Sequence, residues 1–227
     1  MERISTLPLQ KTKVRRKYTL GEEIFNVVTH ALGTLFGIFI LVYGIVRSII
    51  NEHPLGIAAS IVFGASMIIT YGISSVYHGL KPNTGKRVLQ VIDHCTVYIL
   101  IMGTYTAVML AGVMEYAPVV ALIILGIEGV LGIAAITLTA IDMKKFQIFS
   151  MICYIVLGWC LITVPHIMVG AIGLGGFMWL LGGGIAYTVG SILYGIGKKK
   201  RYMHSVFHIF CVVGSVCQFI SFAVYCI

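Results

Sequence analysis

The chain has 227 residues, of which 59% are hydrophobic and 11% charged, against roughly 45–50% and about 25% in an ordinary soluble domain. With a mean hydropathy of +0.99, its apolar surface exceeds what a core of this length can hide from water. That excludes a soluble globular domain and makes lipid the solvent for most of the chain. The formal charge of +8 does not point to nucleic acid, because the Lys and Arg residues stand in short clusters between apolar runs and no polar domain presents them to a duplex.

In chain order, residues 1–20 read as a basic cytoplasmic tail carrying Arg3, Lys11, Lys13, Arg15, Arg16 and Lys17. It meets the first apolar run at a capping box, Thr19 with Glu22. Residues 21–227 then divide into seven apolar stretches, about 24–46, 55–80, 88–113, 117–140, 147–166, 173–196 and 203–226. Each is near the 20 or so residues a helix needs to cross hydrocarbon. The runs are long and continuously apolar, which predicts helices rather than the alternating strands of a barrel. The first is too long for the core of a signal peptide and lacks a small-residue cleavage site. The expected fold is therefore all-α, a single polytopic bundle of seven transmembrane helices in the cell membrane.

The basic residues orient it. Six lie in the tail, three in the 2–3 loop (Lys81, Lys86, Arg87), two in the 4–5 loop (Lys144, Lys145) and four in the 6–7 loop (Lys198, Lys199, Lys200, Arg201), leaving only Arg47 on the other side. Cytoplasmic loops carry such an excess, so the N-terminus is expected inside and the C-terminus outside. Five glycines in the sixth span (Gly182, Gly183, Gly184, Gly190, Gly195) predict close helix approach. The six cysteines, Cys95, Cys153, Cys160, Cys211, Cys217 and Cys226, lie in apolar segments without a CxxC pair and read as buried free thiols.

Ionisable groups at membrane depth are costly and mark candidate functional positions. His78 closes the second span, Asp93 and His94 open the third, and His204 and His208 open the seventh, all in the cytoplasmic leaflet. Counted from the flanking basic residues, His204 lies about 4–5 Å and Asp93 and His208 about 9–11 Å inside the boundary. The spacing His204-x3-His208 puts two imidazoles on one helix face, and His78 is the best third donor by depth. Three neutral nitrogens with an open position are the ligand set of a catalytic zinc site, although imidazoles also suit iron or copper. Two other readings stay open from spacing alone: helix-bridging hydrogen-bond donors, and a bis-histidine haem. Asp93 fits a fourth ligand, a base acting on water at the metal, or an ion pair with Lys86 or Arg87, and the base is favoured. Ser74, one turn before His78, can offer its hydroxyl to a ligand, to that water or to an oxyanion, or to its own helix backbone.

These residues also carry a resemblance. Ser74-x3-His78, Asp93 and His204-x3-His208, with Glu23-x2-Asn26-x2-Thr29-His30 at the entrance to the first span, resemble the signature of the hemolysin III and progestin/adipoQ receptor family. The short termini and loops look like its bacterial hemolysin III branch. The resemblance implies a seven-helix bundle with zinc near the cytoplasmic face, held by His78, His204 and His208, with Asp93 and Ser74 around bound water. It also implies a link to a superfamily of membrane hydrolases that includes alkaline ceramidases. Asp93 is followed here by His94-Cys95-Thr96, unlike the Asp-Tyr pairing of many receptor members, which speaks against receptor-type ligand specificity.

Glu23, Asn26 and His30 share one helix face and predict a network bracing the first span against the site, or an ordinary interhelical network. His53 and His166 read as interfacial histidines without a role in chemistry. Glu128, mid-way along the fourth span with no basic residue at matching depth, is expected as a neutral acid hydrogen-bonded across helices, with proton movement or substrate contact as its functional alternative. Two functions from different classes follow. One is a zinc-dependent hydrolase of a membrane lipid amide or ester, with lipids as partners and Asp93 as base. The other is a non-enzymatic regulator of membrane lipid state, or a pore former, in which zinc clamps helices together.

Overall fold

The computed structural model describes residues 18–197 and 200–227. Most of the basic tail and the lysines at 198 and 199 lie outside the described residues. Seven α-helices follow one another: α1 (Leu20–Ile50), α2 (Pro54–Gly79), α3 (Thr84–Val108), α4 (Pro118–Ile141), α5 (Gln147–Gly158), α6 (Pro165–Gly197) and α7 (Met203–Tyr225), with no strand among the described residues. A π-helical turn, Met109–Val113, extends α3, and a 3-10 turn, Cys160–Thr163, follows α5. α1 packs on α2, α2 on α3 and α6 on α7, and α1 also meets α7.

The burial pattern is that of a protein dissolved in lipid. Leu35, Val42, Val119 and Val130 point outward on α1 and α4, whereas Asn26, Ser60, Ser66, Ser215 and Ser221 are enclosed. Small residues set how closely the helices approach. A Cβ on Gly33 would lie 2.7 Å from the ring of Tyr71, and one on Gly37 would lie 3.0 Å from the backbone nitrogen of Ile68, so α1 and α2 touch through these glycines. In the sixth predicted span only part of the expectation holds. Gly183 faces Gln218 and Gly190 faces Phe210, but Gly182 has nothing within 4 Å.

Among the described residues six helices are long and apolar enough to cross a membrane, and the chain is a polytopic membrane protein. The expected continuous fifth span at 147–166 is the exception. α5 has 12 residues, about 18 Å of rise against a hydrocarbon thickness of about 30 Å. Its last turn closes with the amide of Trp159 shared among the carbonyls of Ile155, Val156 and Leu157. Pro165 opens α6, and a proline pushes the residue before it out of the helical region, as seen in Val164 at φ −129° and ψ 48°. Gly173, at φ 71° and ψ 165°, then breaks α6 in a conformation that suits glycine alone. The long apolar segment after it coincides with the sixth predicted span.

The N-terminus of α1 forms as expected. The Thr19 amide donates to Oε2 of Glu22 at 2.8 Å, and the Glu22 amide donates to the Thr19 hydroxyl oxygen at 3.3 Å. The other carboxylate oxygen of Glu22 accepts from the amide of Tyr202 at 2.7 Å. One side chain thereby caps α1 and ties it to the residue that precedes α7.

Candidate metal centre

α2 ends, and α1, α3 and α7 begin, at the same end of the bundle, and this brings residues distant in sequence together. His78 comes from the last turn of α2; His204 and His208 come from the first two turns of α7. Nε2 of His204 lies 3.3 Å from Nε2 of His78 and 3.0 Å from Nε2 of His208. One ligand atom from each of the three rings falls within 4.8 Å of the others, a group that can hold a metal ion. Nitrogens bound tetrahedrally at 2.0–2.1 Å from an ion stand about 3.3 Å apart.

The hydrogen bonding of His78 bears on this fit. Its Nδ1 lies 2.6 Å from Oε2 of Glu23 and 3.3 Å from Nδ2 of Asn26. A carboxylate can only accept, so Nδ1 carries the proton and Nε2 of His78 presents a lone pair to the other two rings. Nε2 of His204 has one proton at most to share between two neighbours. Three imidazole nitrogens gathered in this way suit a cation better than they satisfy one another.

Lys86, from the first turn of α3, completes the support. Its ammonium donates to Oε1 of Glu23 at 2.6 Å and to the carbonyls of His78 and Leu80 at 3.3 and 3.0 Å. The same cation thus neutralises Glu23 and caps the C-terminus of α2, where carbonyls lack helical partners. Pairing of Lys86 with Asp93, one of the sequence options, is not what forms. The shared face of Glu23, Asn26 and His30 does form a brace: Glu23 accepts from His78, Asn26 lies against the same ring edge, and His30 stacks on His208 with ring centroids 3.6 Å apart and planes at 8°. Above the cluster, the ring of Tyr18 lies on His204 at 4.7 Å and 10°, and burial pushes its phenol well above the usual tyrosine value.

A cavity of about 180 Å³ runs from this cluster into the bundle. His204, His208, Ser74 and Asp93 line one end of it, and its wall continues as far as Leu100 and Gln218. Gln218 is ten residues beyond His208 on α7, about 15 Å along the axis. Most of the exposed lining is apolar, with polar groups both beside the imidazoles and farther along at Thr104 and Gln218. Ser74 is buried and Asp93 partly so. Asp93 is outside the three-residue ligand group, and its Oδ2 lies 3.8 Å from Nδ1 of His94.

The profile of the family described as Haemolysin-III related matches residues 18–219. The chain belongs to this family. It is 32% identical to the Hemolysin-3 homolog of Bacillus subtilis (strain 168), over 92% of this chain and 97% of that protein. It is 30% identical to Hemolysin-3 of Bacillus cereus, over 87% and 89% of the two chains. A more distant similarity, 25% identity, joins 89% of this chain to 50% of the Adiponectin receptor protein of Drosophila melanogaster.

Other sequence expectations for this haemolysin-III relative fare differently. His53 has a structural role. Its Nδ1 accepts from the amide of Gly56 at 3.0 Å, capping α2, and its Nε2 reaches the carbonyl of Ala111 at 3.0 Å. Glu128 is enclosed, as expected, but neither carboxyl oxygen has a hydrogen-bond partner, so the expected bond across helices is not made. Tyr105 on α3 accepts from the amide of Leu161 at 3.2 Å and makes no bond to Glu128. The six cysteines are free thiols as expected, but only Cys95 and Cys226 are buried, the other four being partly exposed. Lys86 and Tyr18 are the site residues that sequence reading did not single out for these contacts.

Proposed function

We propose that the protein is a zinc-dependent hydrolase of a membrane lipid amide or ester. In this reading it sits in the cell membrane with seven crossings, α5 and the 3-10 turn together making the fifth, and with its N-terminus in the cytoplasm. The observation that carries the proposal is the convergence of the Nε2 atoms of His78, His204 and His208 at the end of a largely apolar cavity that Ser74 and Asp93 also line. A site of this kind presents polar chemistry to one end of a long apolar ligand.

His78, His204 and His208 would hold the ion. A zinc ion bound by three imidazoles with a fourth position open lowers the pKa of water toward 7 and polarises a carbonyl. The chain supplies the rest. Glu23 fixes the tautomer of His78, which would leave its Nε2 lone pair available to an ion. Asp93 takes a proton from the attacking water and returns it to the departing amine or alcohol. The Ser74 hydroxyl donates to the oxygen on which charge develops. The apolar wall holds the acyl chain and keeps bulk water from the reacting carbonyl. Lysines and arginines near the cytoplasmic face attract anionic headgroups, by about 1 kcal/mol for each residue close to the surface.

The test is release of fatty acid by purified protein in lipid nanodiscs, offered a panel of lipid amides and esters. Asp93→Asn is expected to keep its metal and lose release by about 100-fold or more, the scale of general acid-base catalysis. Turnover by Asp93→Asn at the wild-type rate would contradict the role of Asp93. Absence of release from every lipid by zinc-loaded wild type would contradict the hydrolase.

A further inference from the structure

Tyr18 stands immediately before the N-cap Thr19, the position from which an apolar side chain ordinarily packs onto the residue four places into the helix. That residue is Glu23, whose carboxylate is committed to His78 and Lys86. The ring of Tyr18 goes elsewhere. It lies flat on His204, with centroids 4.7 Å apart and planes at 10°, and 5.7 Å from the ring of His78. The segment bearing it is held on both sides of the stack, by the Thr19 and Glu22 capping box and by the bond from the Tyr202 amide to Glu22 at 2.7 Å. His204 and His208 belong to the cavity wall, but Tyr18 does not. The phenol therefore covers a face of the imidazole cluster at the start of α1 and is not part of the cavity lining.

We propose that Tyr18 is a specificity-determining residue that closes the metal centre toward the aqueous phase at the start of α1. Water-soluble ligands are thereby kept from the ion on the face that the ring covers. The inference rests on the metal-centre reading above and adds the residue that covers the centre at the start of α1. An aromatic plate stacked on a ligand ring excludes water from that face without using any of the ion's coordination positions, so Tyr18 controls exchange rates and leaves affinity alone.

The experiment follows loss of zinc from the full-length, zinc-loaded protein in lipid nanodiscs after addition of excess EDTA, a water-soluble chelator. Tyr18→Ala is expected to lose zinc about tenfold faster than wild type, the rate equivalent of a stacked aromatic pair. Its equilibrium zinc affinity, from competition titration, stays at the wild-type value because entry and exit accelerate together. Tyr18→Phe, which keeps the plate, releases zinc at the wild-type rate. Release from Tyr18→Ala at the wild-type rate overturns the proposal. So does a loss of affinity matching the gain in rate, which would make Tyr18 a prop for His204. A wild-type protein that takes up no zinc overturns the metal reading itself, and this inference with it.

Discussion

Oε2 of Glu23 accepts the Nδ1 proton of His78 at 2.6 Å, and that one bond turns the other nitrogen of the ring toward His204. A residue of α1 thereby sets the protonation of a residue at the end of α2, with Lys86 from α3 balancing the charge at 2.6 Å from Oε1.

Glu23→Gln is expected to weaken metal binding by about 10–100-fold, the usual cost of losing an outer partner of a ligating histidine. The amide fits the space, but it can present its NH₂ group to Nδ1 and no longer selects the tautomer. Chelator-competition titration checks this, and an unchanged dissociation constant would mean that His78 is oriented by other contacts. Lys86→Met removes the counter-charge of Glu23 and should lower stability by about 3 kcal/mol, as when a buried pair is broken on one side. Unfolding in mixed micelles provides the comparison.

Gly33→Ala is expected to destabilise the bundle by about 1–3 kcal/mol, because overpacking displaces well-ordered neighbours. The added methyl would meet the ring of Tyr71 at 2.7 Å. That tyrosine donates to the carbonyl of Cys211 at 2.9 Å and lies edge-on to His30. Gly182→Ala is the control: nothing lies within 4 Å of the new atom, so the gain in helix propensity of about 1 kcal/mol should appear as unchanged or higher stability. Equal effects from the two substitutions would contradict the close approach of α1 and α2.

Glu128→Leu is expected to leave stability unchanged or raise it by about 1–3 kcal/mol, since an enclosed polar group without partners forfeits roughly that much. Both oxygens of Glu128 are in that position. A thermal midpoint clearly below wild type would show that the carboxyl gains a partner in the membrane.

The capping box was legible because its signal is local: Thr19 and Glu22 are three residues apart and need only one helical turn. The pair His204 and His208 was legible for the same reason, and His78 could be matched to them by depth along its own helix. The bridge from Glu23 to Lys86 was not, because it depends on the turn between α2 and α3 bringing the first turn of α3 beneath α1. Tyr18 looked like the end of a basic tail; its stack on His204 requires knowing where α7 begins. The break after α5 lay in an unbroken apolar run, where hydropathy is silent and only Pro165 and Gly173 punctuate the chain. Glu128 was conspicuous by its charge, yet its lack of a partner is a property of packing and could not be read from the sequence.

The most direct test of the metal centre is elemental analysis of the purified protein, wild type beside His208→Ala. Close to one zinc per chain in the wild type, lost on substitution of His208 while the protein remains folded, is the predicted result. A wild-type protein that binds no metal even when zinc is supplied, or a substituted protein that keeps its full complement, would contradict it.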